Sequence, residues 1–144
     1  MKADAINRLV LDASVALAWC FPDESDPLAE RLIDSMADGS RAIVPAIWPF
    51  EIANALLMAE KRKRISIAQV TAILRKLTLL PIAVDVAQTE SIFGDVLPVA
   101  RQQNLTAYDA AYLQLALREA LPLATLDDQL RRAARNAGVT LVSI

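Results

Sequence analysis

The amino-acid sequence predicts an α/β domain: a mostly parallel central sheet flanked by helices on both faces. Short apolar runs of strand length alternate with longer stretches of helical periodicity, the order that joins parallel strands through helical crossovers. The 144 residues suit one compact domain with a single core. With 55% hydrophobic residues and three glycines, disordered and collagen-like chains are excluded. No internal repeat, low-complexity tract or linker interrupts the pattern, so residues 1–144 are read as a single domain.

The elements follow in order. Residues 8–11 form a first strand ending at Asp12, and a short helix runs from Ala13 to a stop before Pro22. Asp26 and Pro27 are the N-cap and first position of a second helix, closed by Gly39 as its C′ residue. A second strand, 41–44, leads through Pro45 and Pro49 into a helix expected over 50–62, with Ile52, Ala55, Leu56 and Ala59 as its buried stripe. Ser66 caps the next helix, in which Ile67, Val70, Leu74 and Leu77 recur at helical spacing. A third strand at 82–84 precedes helices over 89–103 and 107–120. A two-residue strand at 123–124, a helix over 127–136 and a last strand at 140–142 complete the pattern.

Composition narrows the chemistry. The uncharged stretch 13–22 is too short to span a bilayer, and the first ten residues lack the apolar core of a signal peptide. Cys20, the one cysteine, cannot form an internal disulfide and reads as a small core residue. A cytoplasmic protein without membrane contact is the expectation. There is no histidine, which removes the commonest general base, the Ser-His-Asp triad and the usual zinc ligands. A hydrolase built from this chain must activate water another way. A hard cation, Mg²⁺ or Mn²⁺, held by carboxylate oxygens is the natural route. The apolar share is generous for so small a domain, and the surplus fits a surface covered by a partner.

The net charge of −2 does not mark a general nucleic-acid binder. Lys61, Arg62, Lys63 and Arg64 form one basic run, and Arg131, Arg132 and Arg135 a second patch. Either reads as a solvated helix end or as a track for phosphates.

In an open parallel sheet, ligands bind beyond the carboxyl ends of the strands. Asp12 directly follows the first strand, and Asp127 follows the 123–124 strand in LATLDDQL. Glu51 begins the helix after the second strand in PAIWPFEIANAL, and Asp109 lies in the first turn of TAYDAAYLQLA. Each has a local alternative. Asp12 can cap a helix, Thr106-x-x-Asp109 and Thr125-x-x-Asp128 match capping boxes, and Glu51 and Asp127 suit first-turn acids. Taken together, the four crowd one sheet edge. Two like charges about 4 Å apart repel by roughly 4 kcal/mol at an effective dielectric of about 20. Such a pocket needs protons or a cation, and a divalent ion lowers the pKa of a bound water and suits attack on a phosphodiester. Ser14, Asn54 and Thr125 are placed to orient metal waters or phosphate oxygens, with local capping as the alternative for Ser14 and Thr125. Asp128 is a fifth acid, ranked below Asp127 and assigned the capping-box role.

LVLDASV, FEIANAL, TAYDAAYLQLA and LATLDDQLRRAA, in this order and spacing, resemble the four motifs of the PIN-domain family. The match is closest to the VapC-type toxin ribonucleases of type II toxin–antitoxin systems and runs from Arg8 to Ile144. The resemblance implies a PIN-like fold and a Mg²⁺- or Mn²⁺-dependent endoribonuclease. Carried over by position, it makes Asp12, Glu51, Asp109 and Asp127 the catalytic acids and metal ligands. It also implies hydrolysis leaving 5′-phosphate and 3′-hydroxyl ends, a small antitoxin lying across the acidic groove, and a homodimer.

An RNA substrate must also be gripped. Lys61 stands roughly 15 Å along a helix from Glu51, within reach of flanking phosphates. Trp19, Trp48 and Phe50 are base-stacking or packing residues. A haloacid-dehalogenase-like phosphatase would need an acid where Ser14 stands, and a response-regulator receiver would need its acid pair near the first strand. A non-catalytic RNA- or protein-binding PIN module and a housekeeping RNA-processing nuclease stay open as alternatives.

Overall fold

β1 (Arg8–Leu11) carries Leu9, Val10 and Leu11, all without solvent exposure, in a computed structural model that describes residues 7–143. A strand buried at successive positions must be covered on both faces. It lies between β2 (Arg41–Pro45) and β4 (Leu123–Ala124), with β3 (Ile82–Asp85) beyond β2, in a parallel sheet of order β3-β2-β1-β4. Burying each of the three aliphatic side chains contributes about 1.5–3 kcal/mol.

The connections explain the covering. β1 reaches β2 through α1 (Ala13–Cys20), a 3₁₀ turn (Pro22–Glu24) and α2 (Pro27–Ala37); β2 reaches β3 through α3 (Ile47–Lys61) and α4 (Ile67–Thr78). Both crossovers step the same way across the sheet, so right-handedness puts these helices on one face. The return from β3 to β4 steps the other way. It places α5 (Thr89–Ser91), a π turn (Ile92–Val96), α6 (Leu97–Gln103) and α7 (Ala107–Glu119) on the opposite face. α8 (Asp128–Ala137) follows β4.

Local chemistry accounts for most boundaries. The Asp26 side chain accepts from the Leu28 N–H with Pro27 next in line, and Gly39 takes φ +111° just past the end of α2. Ser66 and Gln69 form a reciprocal capping box on α4. Three expectations need correction. The helix expected from 50 begins at Ile47, because the first four N–H groups of a helix need no internal acceptor and Pro49 therefore does not interrupt it. The helix expected over 89–103 contains the π turn, with the Leu97 N–H reaching the Ile92 carbonyl just before Pro98, which has no N–H to offer. The last strand shrinks to a single parallel bridge between Leu123 and Leu141, since β4 offers only two residues to pair with.

The core joins β1, α1, α2, β2, α3, α7, β4 and α8. α4 contributes no fully buried residue although its apolar stripe is present, and Leu79 beyond it is 81% exposed. Among the described residues no helix is long and apolar enough to cross a membrane.

Candidate active site

Asp12 stands where β1 turns into α1 and is only 6% exposed. Its Oδ2 accepts from Ser14 Oγ at 2.6 Å and from Thr125 Oγ1 at 2.8 Å. Both hydroxyls also accept from the β4–α8 connection: Ser14 Oγ from the Leu126 N–H at 2.9 Å, Thr125 Oγ1 from the Asp127 N–H at 3.0 Å. The Arg131 Nε–H donates to the Thr125 carbonyl at 2.9 Å. The two strand ends are thus stitched together around one carboxylate. Ser14 and Thr125 serve Asp12 instead of capping their own helices, and burial supplies the reason. A carboxylate out of water needs donors, and hydrogen bonds to charged groups are about twice as strong as neutral ones. Burial pushes the proton affinity of Asp12 upward, the two hydroxyls oppose that shift, and the charge of Asp127 adds to it.

The other acids arrive from three further connections. Glu51 lies in the second turn of α3, so the first-turn reading fails. It is half-buried, and its Oε1 accepts from the Tyr112 hydroxyl at 2.7 Å. Burial raises its proton affinity most, the Tyr112 bond opposes, and the charges of Asp12 and Asp109 raise it further. Asp109 is half-buried in the first turn of α7, where its N–H donates to Thr106 Oγ1 at 3.1 Å. Its proton affinity is raised by burial and then by Asp12 and Asp127. Asp127 is the N-cap of α8, its Oδ1 accepting from the Leu130 N–H at 2.9 Å. That bond overturns the Thr125–Asp128 capping box: Asp127 caps the helix, and the Asp128 carboxylate is largely in solvent 3.9 Å from Arg131 Nη1. Asn54 is exposed on α3.

The basic run divides. Lys61, Arg62 and Lys63 are exposed, whereas Arg64 Nη2 pairs with Asp23 at 2.7 Å and Glu24 at 3.3 Å and the Arg64 Cζ lies 4.4 Å from the Phe21 ring centre. Arg64 ties the α3–α4 turn to the 3₁₀ turn, an internal use that the charge run did not disclose. The aromatics divide too. The Trp19 Nε1–H donates to the Ala29 carbonyl at 2.6 Å, Trp48 is buried, and Phe50, next to Glu51, is 74% exposed. Cys20 is buried as expected, with its thiol pushed up to about 11 by burial.

Tyr112 is the residue that sequence reasoning passed over. It is fully buried, and burial with the Glu51 charge holds its phenol far above the ordinary tyrosine range. A signal was available: Tyr112 lies three residues after Asp109 and so shares its helix face.

Residues 9–136 match the PIN-domain family model. The chain belongs to the PIN-domain family. This PIN domain is 30% identical to ribonuclease VapC3 of Pyrobaculum aerophilum over 123 residues, covering 85% of this chain and 92% of that protein. Its fold is similar to the crystal structure of PAE2754 from Pyrobaculum aerophilum, with a TM-score of 0.68, 22% identity and coverage of 91% and 87% of the two chains. It is also similar to VapBC2 from Rickettsia felis, solved bound to a DNA fragment from its promoter, with a TM-score of 0.66, 13% identity and coverage of 94% and 97%.

The donors of this PIN domain suit a hard divalent cation in kind. They are oxygens, with no histidine in the chain, and Asp12, Glu51 and Asp109 each have their proton affinity raised by the charge of a neighbouring acid, a repulsion that a cation relieves. Among the described residues, no group of three or more Asp, Glu or Cys stands close enough to grip one ion directly.

Proposed function

We propose that this PIN domain is a Mg²⁺- or Mn²⁺-dependent endoribonuclease and the toxin of a toxin–antitoxin pair. The observation that carries the reading is the environment of Asp12: a buried carboxylate at the end of the central strand, held by two hydroxyls and coupled in charge to acids from other connections. The family and the 30% identity to ribonuclease VapC3 support RNA as substrate. Asp12 and Asp109 would hold the ion, with Glu51 and Asp127 joining through water. The bound ion would supply Lewis-acid polarisation of the phosphate and a lowered pKa for water.

The chain's own residues do the positioning. Ser14 and Thr125 fix the orientation of the Asp12 carboxylate, and the cap to Leu130 fixes that of Asp127. Attack by water in line with the leaving 3′-oxygen gives 5′-phosphate and 3′-hydroxyl ends. Lys61, Arg62 and Lys63 contact phosphates that flank the cut, and Phe50 offers an exposed ring beside Glu51 on which a base can stack. The exposed apolar flank of α4 and β3 supports two further assignments, a homodimer and a small antitoxin protein as partners.

The test is cleavage of total cellular RNA by the purified protein with Mg²⁺ or Mn²⁺, beside EDTA and Asp12→Asn controls. Discrete cuts with 5′-phosphate ends, lost in both controls, are the expected result. Cleavage undiminished in EDTA, or 2′,3′-cyclic phosphate ends, would overturn the mechanism. No cleavage by folded, antitoxin-free protein would make this a non-catalytic PIN module that binds RNA or protein.

A further inference from the structure

We propose that Tyr112 is a positioning residue whose buried hydroxyl latches Glu51 toward Asp12 and Asp109, so that the acidic site is pre-set before a cation arrives. The inference rests on the carboxylate–metal reading above and adds a residue to it.

Three observations carry it. The Tyr112 hydroxyl donates to Glu51 Oε1 at 2.7 Å across 61 residues of sequence, joining α7 to α3. The charge of Asp12, just before the start of α1, acts on the same phenol together with that of Glu51. Asp109 is one turn before Tyr112 on α7. A single side chain therefore ties the helix that carries Glu51 to the helix that carries Asp109, within range of the Asp12 charge.

The chemistry is otherwise hard to account for. A completely buried hydroxyl is unfavourable unless bonded, and phenylalanine would fill the same space without that demand. Glu51 is no part of the buried stripe of α3, which is Trp48, Ile52, Leu56 and Ala59. In the metal-free protein the charges of Asp12 and Asp109 repel Glu51, and without a donor its long side chain would relax into solvent. The phenol supplies that donor and uses one of the two carboxylate oxygens. The other is free of this bond and can face a cation.

Tyr112→Phe keeps the ring and deletes the donor. Calorimetric titration of the RNA-free protein with Mn²⁺ should show binding weakened about 10- to 100-fold, the usual loss when a partner that orients a ligand is removed. In a Glu51→Ala background the same substitution should change the Mn²⁺ affinity by less than about twofold, because the latch has nothing left to hold. A Tyr112→Phe protein that binds Mn²⁺ as tightly as its parent would overturn the proposal. So would an equal loss in both backgrounds, which marks general loosening of the fold. Should Tyr112→Phe not fold, Glu51→Asp gives an independent measurement. Its shorter side chain keeps the charge but withdraws it from the phenol, and Mn²⁺ affinity retained within about twofold would equally overturn the latch. If the parent protein takes up no Mn²⁺ and cuts no RNA, the nuclease reading and the latch fall together. If the parent does both and the variants match it, only the latch falls.

Discussion

The centre of the sheet and its β3 edge are built from similar apolar runs and end in opposite conditions. β1 has a paired strand on each side and helices over each face, and three of its four residues have no exposure. β3 has one neighbouring strand, Ala83 and Val84 are exposed, and the helix leading into it buries none of its residues fully. An apolar groove of about 370 Å³ runs between them, lined by Trp48, Ile52, Leu74, Leu77 and Ile82 among others. The contrast teaches where this chain completes itself. The carboxylates proposed for catalysis lie at the finished centre, where their geometry is held by the fold. The flank is an edge strand beside apolar surface, the arrangement that proteins ordinarily cover.

Stability measurements sharpen the comparison most. Leu9→Ala, at a position without exposure, should cost about 2–5 kcal/mol in urea unfolding. Leu79→Ala, in the exposed flank, should stay within about 0.5 kcal/mol. Comparable losses at the two sites would break the contrast and show the flank to be covered in solution.

A second, smaller effect concerns the charge at the centre. Burial raises the proton affinity of Asp12 in the folded protein. Its contribution to stability is therefore fully present below the ordinary carboxylate value of 3.8 and is lost as pH rises through the elevated one. Asp12→Asn, with no charge to bury, should melt above its metal-free parent at neutral pH, and the gap should close toward the acid range. Addition of Mg²⁺ should raise the melting temperature of the parent alone. A variant that melts lower than the parent at neutral pH would mean that the hydroxyl bonds outweigh burial.

The smallest effect lies at the flank's polar end. Replacing Lys61 and Lys63 by alanine should flatten the salt dependence of RNA binding by about 0.7 in log–log slope per charge. An unchanged slope would return both lysines to the role of solvated surface. Arg64, already paired with Asp23 and Glu24, should contribute less to that slope than either lysine.

Where a structural feature depends on neighbours in sequence, it was legible. The caps at Asp26 and Ser66, the Gly39 terminus, the placement of β1 to β4 and the periodicity of the helices all follow from patterns a few residues long. The misreadings share a cause. Thr125 and Asp128 have capping-box spacing, yet Thr125 turned to a carboxylate 113 residues away and Asp127 took the cap. Pro49 looked like a helix boundary because a missing N–H matters in a helix interior, but it falls within the first turn. The apolar stripe of α4 was read correctly as periodicity, although periodicity does not say how much of it is covered: Val70 and Leu77 pack against the core, whereas Ile67 and Leu74 stay exposed.

The amino-acid sequence by itself determined the fold class and the positions of Asp12 and Asp127 after strands and of Asp109 at a helix start, because these rest on periodicity and on local backbone chemistry. Tertiary structure alone decided that Ser14 and Thr125 turn to Asp12, that Tyr112 reaches Glu51, and that Arg64 closes on Asp23. A hydroxyl or a guanidinium has several partners within local reach. Which one it takes depends on which charge the fold removes from water, and that desolvation exists only once distant segments have packed together.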